Sequence, residues 1–542
     1  MKTILTTTLM IFGGAVASAT VSPDIAYQAK QNAERAMAII DATWEKGAIN
    51  RFGGAATAND LAFADWFSME TAQKGGPADV WPYTAAIEAL NSLIESLDAL
   101  ADADESQKAW VSNVRQSYIV KLNQVIDNLE WYKGEYTLAS YATIGKKVTP
   151  YAVPRAGARG TADVSGILNV YDDQMWIARE LIRAYRITDN RKYLDRAVYL
   201  TDYALEGWDC WHDENGKEYG GITWGPGYNS KHACSNAPLI QPLVWLSEIY
   251  AEFEEQGTLT DPEKEFKFYS RDESNKVFVD KTTPRSEYYL AFAKKIYDWQ
   301  KENLLDPAKN VYFDMMGADN TIKVSGGYRQ HVDTGSKTGS YISYNTGTMI
   351  SGASALYSAT QDEDYIADIN NAVRGSYNQF AKQVRSKSTY EFQTDETVMN
   401  GFNTWFNCVL IRSYADAFPY CTNVYAKNGL NYMLKNLDYA FDNADYNKGN
   451  ILPIKLLDGW KEEVSMKPFH QFAFASEYGV IASHLIRSND EPASNVESIS
   501  EDATEDDTLY SLLGVRLGNY SLIKDNLPSG IYICNGKKIY IK

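Results

Sequence analysis

Helical periodicity runs through most of this chain of 542 residues and constrains its fold more than any other feature. Apolar side chains recur at intervals of three and four residues, the spacing that lays one stripe along a helix. Loops rich in Gly, Asn and Tyr separate the periodic segments, and the pattern predicts an all-α domain. The segments are Ile25–Ala42, Trp81–Leu100, Ser106–Trp131, Asp172–Thr188, Lys192–Gly207, Pro238–Phe253, Ser286–Leu304, Asn345–Thr360, Asp364–Val384, Thr404–Phe418 and Gln471–Ile486.

One helical hairpin occurs twice in the chain. Ala184–Leu194 and Leu356–Ile366 each contain a helix end, a Thr-centred turn and the start of a new helix. Repeated hairpins stack in an open solenoid or close into a ring, and the residues alone leave that choice open. In a ring, the polar loops after alternate helices, Gly220–Ser235 and Gly326–Tyr344, would emerge at one end and form a binding cleft.

The two ends of the chain differ from its helical middle. Residues 1–19 contain Lys2, an apolar run and a small-residue site, which is typical of a secretory signal. No cysteine follows the run, so no lipid anchor is expected. Residues 488–507 are acidic and polar and predict a disordered linker between a helical domain, 20–487, and a tail, 508–542. The tail predicts short β-strands with a hairpin turn at Asn535–Gly536, and the protein is expected outside the cell or on its surface.

The composition narrows the range of partners. A formal net charge of -18 disfavours nucleic acids and anionic membranes, whereas 38 Tyr and 13 Trp offer aromatic faces for pyranose rings. Five cysteines are too few for a disulfide scaffold, although Cys210 with Cys234, or Cys408 with Cys421, could pair. The five histidines show no metal-ligand spacing, so neither a metal nor a cofactor is predicted.

Asp172 and Asp173 stand side by side at the predicted start of a helix. A helix N-terminus stabilises negative charge, while two close carboxylates repel and raise one proton affinity. The pair can therefore divide into one anion and one acid, as glycoside hydrolysis requires. On the pair alone, an N-cap with an acidic first turn remains the alternative.

Four segments carry a family pattern: Tyr171–Ala178, Gly220–Trp224 with Lys231–Ala237, Ser343–Gly347 and Trp81–Tyr83. Together they resemble glycoside hydrolase family 76, the bacterial endo-α-1,6-mannanases and related fungal wall transglycosidases. The family elements are aromatic-Asp-Asp-x-x-Trp, Gly-Gly-Ile-x-Trp, Lys-x-x-x-Ser-Asn and Tyr-Asn-Gln-Gly. Thr346 replaces the usual Gln, and Thr223 stands where a second aromatic is frequent, so these departures affect subsites rather than the reaction class.

The resemblance implies an (α/α)6 barrel, followed here by the small β module, in which inner helix starts converge on a groove. It also implies a retaining hydrolase in which Asp172 attacks the anomeric carbon and Asp173 is the acid/base. The bond broken would be an α-1,6 link between mannoses, and the partner would be an α-mannan backbone such as that of yeast wall glycans.

Six further residues are candidate substrate contacts: Trp224, Asn236, Tyr344, Asn345, Trp81 and Tyr171. Tryptophans at helix starts can stack on mannose or simply plug a core. The two asparagines can cap helices instead of binding sugar, and Tyr344 can bind a hydroxyl or staple a helix entry. Lys231 is expected to be a solvated loop lysine.

Two other functions remain open. The first is another (α/α)6 hydrolase, such as an unsaturated glucuronyl hydrolase, which would use distant acidic residues and anionic sugars. The second is a glycan-binding helical-repeat protein of outer-membrane sugar uptake, which normally has a lipoprotein cysteine. The tail resembles the C-terminal sorting domains that Bacteroidetes use for export through the type IX machinery. The resemblance lies in Leu527–Ile533 and the closing Lys-Lys-Ile-Tyr-Ile-Lys, and it implies that export machinery as a partner.

Overall fold

Among the described residues, twelve helices of 15 residues or more build most of the larger unit. The computed structural model describes residues 21–50, 59–260, 265–271, 277–317, 321–393, 401–460 and 465–488, and the strands of the tail within 508–541. The chain divides into two compact units, Met1–Ser488 and Asn489–Lys542. The helices are α1 Pro23–Gly47, α2 Val80–Ala103, α3 Lys108–Asn128, α4 Tyr171–Thr188, α5 Arg191–Leu205, α6 Ile240–Gln256, α7 Arg285–Leu304, α8 Ser343–Thr360, α9 Asp364–Phe380, α10 Asn403–Ala417, α11 Tyr425–Asp442 and α12 Pro468–Ser488.

The even-numbered helices form a closed inner ring. Each packs against the next even-numbered helix, and α12 packs against α2 to close the circle. The odd-numbered helices lie outside, each against an inner neighbour. This arrangement is an (α/α)6 barrel, so the predicted fold is confirmed, and the repeated hairpins form a ring rather than an open solenoid.

Burial on all sides explains which helices lie inside. Helix α4 buries residues around its whole circumference, as expected for a helix that touches neighbours on every face. Helix α8 is built largely from Ser, Thr, Gly and Ala. A Cβ atom at Gly352 would lie 2.9 Å from Ile240 Cγ2, and one at Gly347 would lie 3.0 Å from Leu410 Cα. These glycines allow α8 to approach both α6 and α10 closely.

The repeated hairpin has the same structure in both copies. Helices α4 and α8 end at Asp189 (φ 55°) and Gln361 (φ 56°), both in the left-handed conformation. Thr188 and Thr360 donate hydroxyl hydrogen bonds to carbonyls four residues earlier, at 2.6 and 2.7 Å. The repeat predicted from the sequence is thus confirmed as a repeated α-hairpin turn.

Short strands lie in the connections between helices. The long connections from each odd helix to the next even helix meet at the N-terminal end of the inner ring, which is where the loops Gly220–Ser235 and Gly326–Tyr344 lie. The strands pair as antiparallel ribbons, with one three-stranded sheet of β6, β11 and β14. They are β1 Ala48–Ile49, β2 Ala62–Phe63, β3 Phe67–Ser68, β4 Tyr136–Leu138, β5 Lys146–Val148, β6 Lys231–His232, β7 Glu265–Arg271, β8 Val277–Pro284, β9 Leu305–Asp306, β10 Val311–Tyr312, β11 Met315–Met316, β12 Val324–Ser325, β13 Tyr328–Arg329, β14 Lys337–Thr338, β15 Ala381–Val384, β16 Thr389–Phe392 and β17 Ser465–Met466.

Two elements differ from the prediction. Helix α11 was not predicted, although its apolar residues keep the helical spacing. Gly429 lies in the same stripe and packs against the Tyr414 ring, where a Cβ atom would lie 2.3 Å from Cδ2. The apolar residues are Ala426, Leu430, Met433, Leu434, Leu437 and Ala440. Helix α9 ends at Phe380 rather than Val384, since residues Ala381–Val384 pair with Thr389–Phe392 instead.

The described cysteines of the larger unit are free thiols. The structure leaves Cys210, Cys234, Cys408 and Cys421 unbonded, so both pairings considered from the sequence are wrong. Cys234 instead lies beside Asp172, and the thiol of Cys408 lies against Ser476 of α12.

The tail forms a four-stranded antiparallel sheet in the order β19-β18-β20-β21. Cys534 pairs with Lys537, so β20 and β21 are antiparallel neighbours, and the predicted turn residues 535–536 lie outside the described part. The signal segment 1–19 and the predicted linker from residue 489 onward also lie outside it, while Ser488 ends α12. Of the helices described, none is long and apolar enough to cross a membrane. The strands are β18 Thr508–Ser511, β19 Arg516–Asn519, β20 Gly530–Cys534 and β21 Lys537–Ile541.

Glu477 provides a test of how the barrel interior tolerates charge. It is 1% exposed on α12, and neither carboxyl oxygen has a hydrogen-bond partner among the described residues. Burial raises the pKa of Glu477 well above its ordinary value, so the folded state prefers the neutral acid. The free energy of unfolding of the wild type should therefore fall as pH rises above about 4.5 toward the folded pKa.

We expect Glu477→Gln to remove this dependence. The variant should match the wild type below about pH 4.5 and become relatively more stable as pH rises, by up to about 1.4 kcal/mol per pH unit. Urea unfolding at a series of pH values measures the difference. A difference that does not change with pH would show that Glu477 titrates normally in the fold.

Candidate active site

The start of α4 places two carboxyl groups side by side. The helix begins at Tyr171, so Asp172 and Asp173 are its second and third residues, and its N-cap is Val170. The Tyr171 N–H donates to the Trp224 carbonyl at 2.8 Å, which ties the helix start to the α5–α6 loop. Asp173 is 6% exposed. Asp173 is therefore buried and Asp172 half-buried, so the pair is not on a solvated first turn.

Hydrogen-bond donors hold the Asp172 carboxylate. The Trp224 indole N–H donates to Asp172 Oδ2 at 3.2 Å, and the Cys234 thiol also hydrogen-bonds the carboxylate. Asp172 Oδ1 is buried and accepts no hydrogen bond from the described residues. The donor to Oδ2 therefore fixes the orientation of the Asp172 carboxylate.

The environments of the two carboxyls differ. Burial raises the pKa of Asp172 to about 6, while hydrogen bonds from Cys234, Trp224 and nearby backbone N–H groups oppose that rise. Burial, followed by the negative charges of Asp172 and Asp79, raises the pKa of Asp173 well above its ordinary value. Asp172 thus loses its proton first and Asp173 keeps its own, which gives one anion and one acid at neutral pH.

Two hydrogen-bonded side chains, Cys234 and Tyr344, lead away from Asp172. The Tyr344 hydroxyl donates to the Cys234 sulfur, and the Cys234 thiol donates to Asp172. Burial raises the pKa of both groups well above their ordinary values, so both keep their protons as donors. At this contact the Tyr344 hydroxyl therefore binds another side chain of the protein, Cys234. Cys234 was considered only as a disulfide partner, and its position within the Lys231–Ala237 element was the signal of its role.

Asp314 is a third acid of the site and was missed from the sequence. Strand β11 follows it and pairs with β6, and the Ala233 N–H donates to the Asp314 carbonyl at 2.8 Å. Burial raises the pKa of Asp314 to about 6, and the neighbouring Asn345 amide lowers it. Asn345 is fully buried near the start of α8, and its amide atoms make no regular hydrogen bond within the described part of the chain.

Aromatic rings join the starts of the inner helices. Trp81 of α2 stacks on Phe402 at 4.8 Å and Phe406 at 5.9 Å, and meets Trp405 and Phe469 edge-on. These contacts match the core-plug interpretation of Trp81.

Trp224 has neighbours on the α5–α6 loop. Its ring lies against His232 at 4.7 Å and Tyr228 at 4.5 Å. Since its indole N–H is bonded to Asp172, the geometry gives Trp224 a role as a donor in addition to the predicted stacking on a sugar.

Asn236, Tyr171 and Lys231 are all buried. The Asn236 amide accepts the Ile222 N–H at 2.7 Å and donates to the carbonyls of Ile222 and His232, so it neither caps a helix nor points to solvent. Tyr171 is 1% exposed. All three support the loop and helix from within.

Lys231 in particular is not the solvated lysine expected from the sequence. Its ammonium contacts Asp209 Oδ2 at 2.9 Å and the Gly220 carbonyl at 2.6 Å. His331 Nδ1 lies 2.7 Å from the same Asp209 oxygen. The buried Asp209 carboxylate thus joins the α5–α6 loop to the α7–α8 loop.

The family model of glycosyl hydrolase family 76 matches residues 162–256 and 279–495, together more than half of the chain. The chain belongs to glycosyl hydrolase family 76. The matched segments contain the two adjacent aspartates, Trp224, Asp314 and Tyr344, while residues 257–278 fall between them. A sequence comparison with curated proteins finds no match.

Solved structures of family 76 proteins share the fold. A family 76 mannosidase from Bacteroides thetaiotaomicron has 17% identity over 84% of this chain and 98% of its own, with a TM-score of 0.56. A family 76 hydrolase from a bovine strain of that species has 18% identity, coverages of 83% and 77%, and a TM-score of 0.56. An inactive α-1,6-mannanase of Salegentibacter sp. HEL1_6, with two neighbouring aspartates replaced, is in complex with α-1,6-mannotetrose; it has 17% identity, coverages of 85% and 99%, and a TM-score of 0.51.

Proposed function

We propose that this family 76 protein is a retaining, endo-acting hydrolase of α-1,6-mannosidic bonds in α-mannan backbones. The observation that carries the proposal is the adjacent pair of a half-buried Asp172, which is the anion, and a buried Asp173, which is the acid. Family membership supports the glycosidase class. The mannotetrose bound by the Salegentibacter mannanase supports the choice of sugar and linkage.

In the first step, Asp172 attacks the anomeric carbon and forms a covalent glycosyl-enzyme. The bond from that carbon to the bridging oxygen breaks, and Asp173 gives its proton to the departing oxygen. Retaining enzymes place the two carboxyls about 5 to 5.5 Å apart, a separation within reach of neighbouring residues in one helical turn. Asp173 is suited to this step because its raised pKa keeps it protonated.

In the second step, the ionised Asp173 takes a proton from water, and the water oxygen attacks the anomeric carbon. The bond to Asp172 then breaks, the carboxylate leaves, and the sugar recovers its original configuration. The Trp224 N–H bonded to Asp172 Oδ2 stabilises the departing carboxylate.

A mannan backbone is too large to enter a cell unaided, so an enzyme that cuts it must be exported. The signal-like N-terminus and the sorting-like tail support secretion or surface display through a dedicated export machinery. Detection of the protein in the medium or on the surface of the producing cell would test this, and retention in the cytoplasm would contradict it.

Digestion of debranched α-1,6-mannan tests the function. We expect a ladder of mannooligosaccharides, with α-configured reducing ends when proton NMR spectra are recorded before mutarotation. Products of β configuration would contradict retention. Cleavage of unsaturated glucuronides, or mannan binding without products, would favour one of the two alternative functions instead.

The Trp224 indole should set the acid limb of the pH profile. Trp224→Phe removes the donor to Asp172 but keeps an aromatic ring, so the anion loses stabilisation and the pKa of Asp172 rises further above about 6. We expect the acid limb of kcat/KM to move to higher pH by about one unit, since a hydrogen bond to a charged group is worth about 1.5 kcal/mol or more. The alkaline limb, set by Asp173, should move little. An unchanged acid limb would show that the indole does not stabilise the reacting anion.

A further inference from the structure

The β7–β8 hairpin contacts the residues that support the active-site loop. Strands β7 and β8 lie between α6 and α7, and the whole of β7 falls in the segment 257–278 that the family model does not match. Its last residue, Arg271, is fully buried. The Arg271 N–H donates to the Cys210 carbonyl at 3.0 Å, and its carbonyl accepts the His212 N–H at 3.2 Å. The hairpin end is therefore docked on the α5–α6 loop.

The Arg271 side chain continues inward from this docking point. Its Nη1 donates to the Arg329 carbonyl at 2.9 Å and to the Tyr141 carbonyl at 3.2 Å. Its guanidinium lies over the rings of Trp211 at 4.3 Å and Tyr328 at 4.7 Å. Arg271 thus fixes the backbone at Arg329 from one side.

Arg329 is a second buried cation, 1% exposed, in the α7–α8 connection. Its guanidinium donates to the carbonyls of Gly225 at 3.3 Å and Pro226 at 3.4 Å, and to that of Tyr228. A buried charge is costly unless several well-placed partners surround it. Because these three acceptors lie within four residues, the Arg329 fork fixes the shape of that turn.

The turn held by Arg329 begins immediately after Trp224. The Trp224 N–H donates to the Ser230 carbonyl at 2.8 Å, across the base of the turn, and the Tyr228 ring packs on the indole. The indole N–H then reaches Asp172. A contiguous set of contacts therefore runs from the hairpin, through the two arginines, to the nucleophile.

We propose that Arg329, supported by Arg271 of the hairpin, is a positioning residue that holds the Trp224 indole against Asp172. The kinetic test of this inference rests on the proposed function, whereas the spectroscopic test of the Trp224 indole does not. Neither arginine contacts the two aspartates, so both act through the loop and through Trp224.

Kinetics on α-1,6-mannan provide the first test. Arg329→Met keeps an apolar stem but removes every donor, so the acid limb of kcat/KM should move to higher pH by about one unit, as in Trp224→Phe. Arg271→Met should shift it in the same direction by less. The double variant of Arg329→Met and Trp224→Phe should show no larger shift than Trp224→Phe alone, because both substitutions break the same contact.

Arg285 provides a matched control. It is also a buried arginine, but it lies at the start of α7 and binds Asp202 at 2.6 Å and Tyr289 at 3.0 Å. Arg285→Met should lower the melting temperature without moving the acid limb. If Arg329→Met does not fold, Arg329→Lys keeps the charge with a single donor group and should give an intermediate shift.

A second readout does not need activity. The indole N–H resonance of Trp224, assigned by its loss in Trp224→Phe, should titrate with Asp172 in the wild type and lose that titration in Arg329→Met. Folded arginine variants with an unshifted acid limb and an unchanged Trp224 titration would overturn the proposal, as would shifts that add to that of Trp224→Phe. If the wild type released no mannooligosaccharides, the proposed function would fail. The Trp224 titration would still decide whether Arg329 positions the indole.

Discussion

Replacing either adjacent aspartate with asparagine is expected to lower turnover of α-1,6-mannan by at least about a thousandfold. Asp172→Asn removes the nucleophile, and Asp173→Asn removes the group that protonates the leaving oxygen and later activates water; general acid–base catalysis alone contributes about 10²- to 10⁴-fold. Both substitutions keep the side-chain shape, so the melting temperature should change little. Initial rates of reducing-end release from debranched mannan measure the effect.

The two variants should differ in a way that assigns the roles. An activated mannoside whose phenol leaves without protonation should restore the first step in Asp173→Asn, and added azide should then replace water and yield a mannosyl azide of retained configuration. Asp172→Asn cannot form the covalent intermediate, so it should release no azide product of retained configuration; azide that attacks the substrate directly would give the inverted product. A mannosyl azide of retained configuration from Asp172→Asn would exchange the two roles.

Asp189→Asn is the matched control for both variants. Asp189 is exposed at the other end of α4, in the left-handed conformation that asparagine also adopts readily. The same chemical change on the same helix should leave turnover and melting temperature unchanged. Near-normal activity of Asp172→Asn or Asp173→Asn beside this control would end the case for the pair.

The adjacent acids at the start of α4 could be predicted from the sequence because their signals are local. The apolar spacing after Asp173 gave the helix, and the family pattern around Asp172 gave the chemistry. The twofold repeat at Thr188 and Thr360 was likewise visible, since each copy lies within a few residues. Closure of the ring needed the contact between the first and last inner helices, which no local pattern contains.

Residues that act through distant contacts were missed. Arg329 binds Gly225 across a separation of 104 residues, and Arg271 reaches Tyr141 across 130. Neither lies in a recognisable motif, and the sequence shows only two arginines in polar surroundings. For Asn236, a local rule predicted a helix cap. In the folded protein the loop brings Ile222 to the Asn236 amide, which binds the Ile222 backbone instead.

The charged side chains inside the barrel were also not predicted. Replacing Arg183 tests how much they contribute to the free energy of unfolding. Arg183 is 4% exposed on α4 and donates to Glu180 at 2.8 Å, to Glu95 at 2.8 and 3.0 Å, and to Ser92 at 3.0 Å. Arg183→Met leaves the Glu95 carboxylate without its hydrogen-bonded cation, whereas Glu180 keeps its ion pair with Arg179. We expect a loss of about 3 to 5 kcal/mol in the free energy of unfolding, the usual cost of breaking a buried ion pair from one side.

Urea unfolding measures that loss, and Arg191→Met is the control. Arg191 pairs with Asp195 at 2.8 Å on the surface of α5, where both side chains are at least 45% exposed. An exposed pair of this kind contributes about 1 kcal/mol or less, so the control should be nearly neutral. An equally small loss for Arg183→Met would mean that the buried carboxyls find other partners or water.

The pH dependence separates electrostatics from packing in this variant. Burial alone would raise the pKa of Glu95, but Arg183 outweighs burial and holds it below the ordinary value. In the wild type, this contribution to stability is therefore present above about pH 4.5 and is lost as pH falls through the folded pKa. Without Arg183, burial dominates and the folded state prefers neutral Glu95. The stability deficit of Arg183→Met should thus shrink on acidification, whereas a packing defect alone would leave it constant.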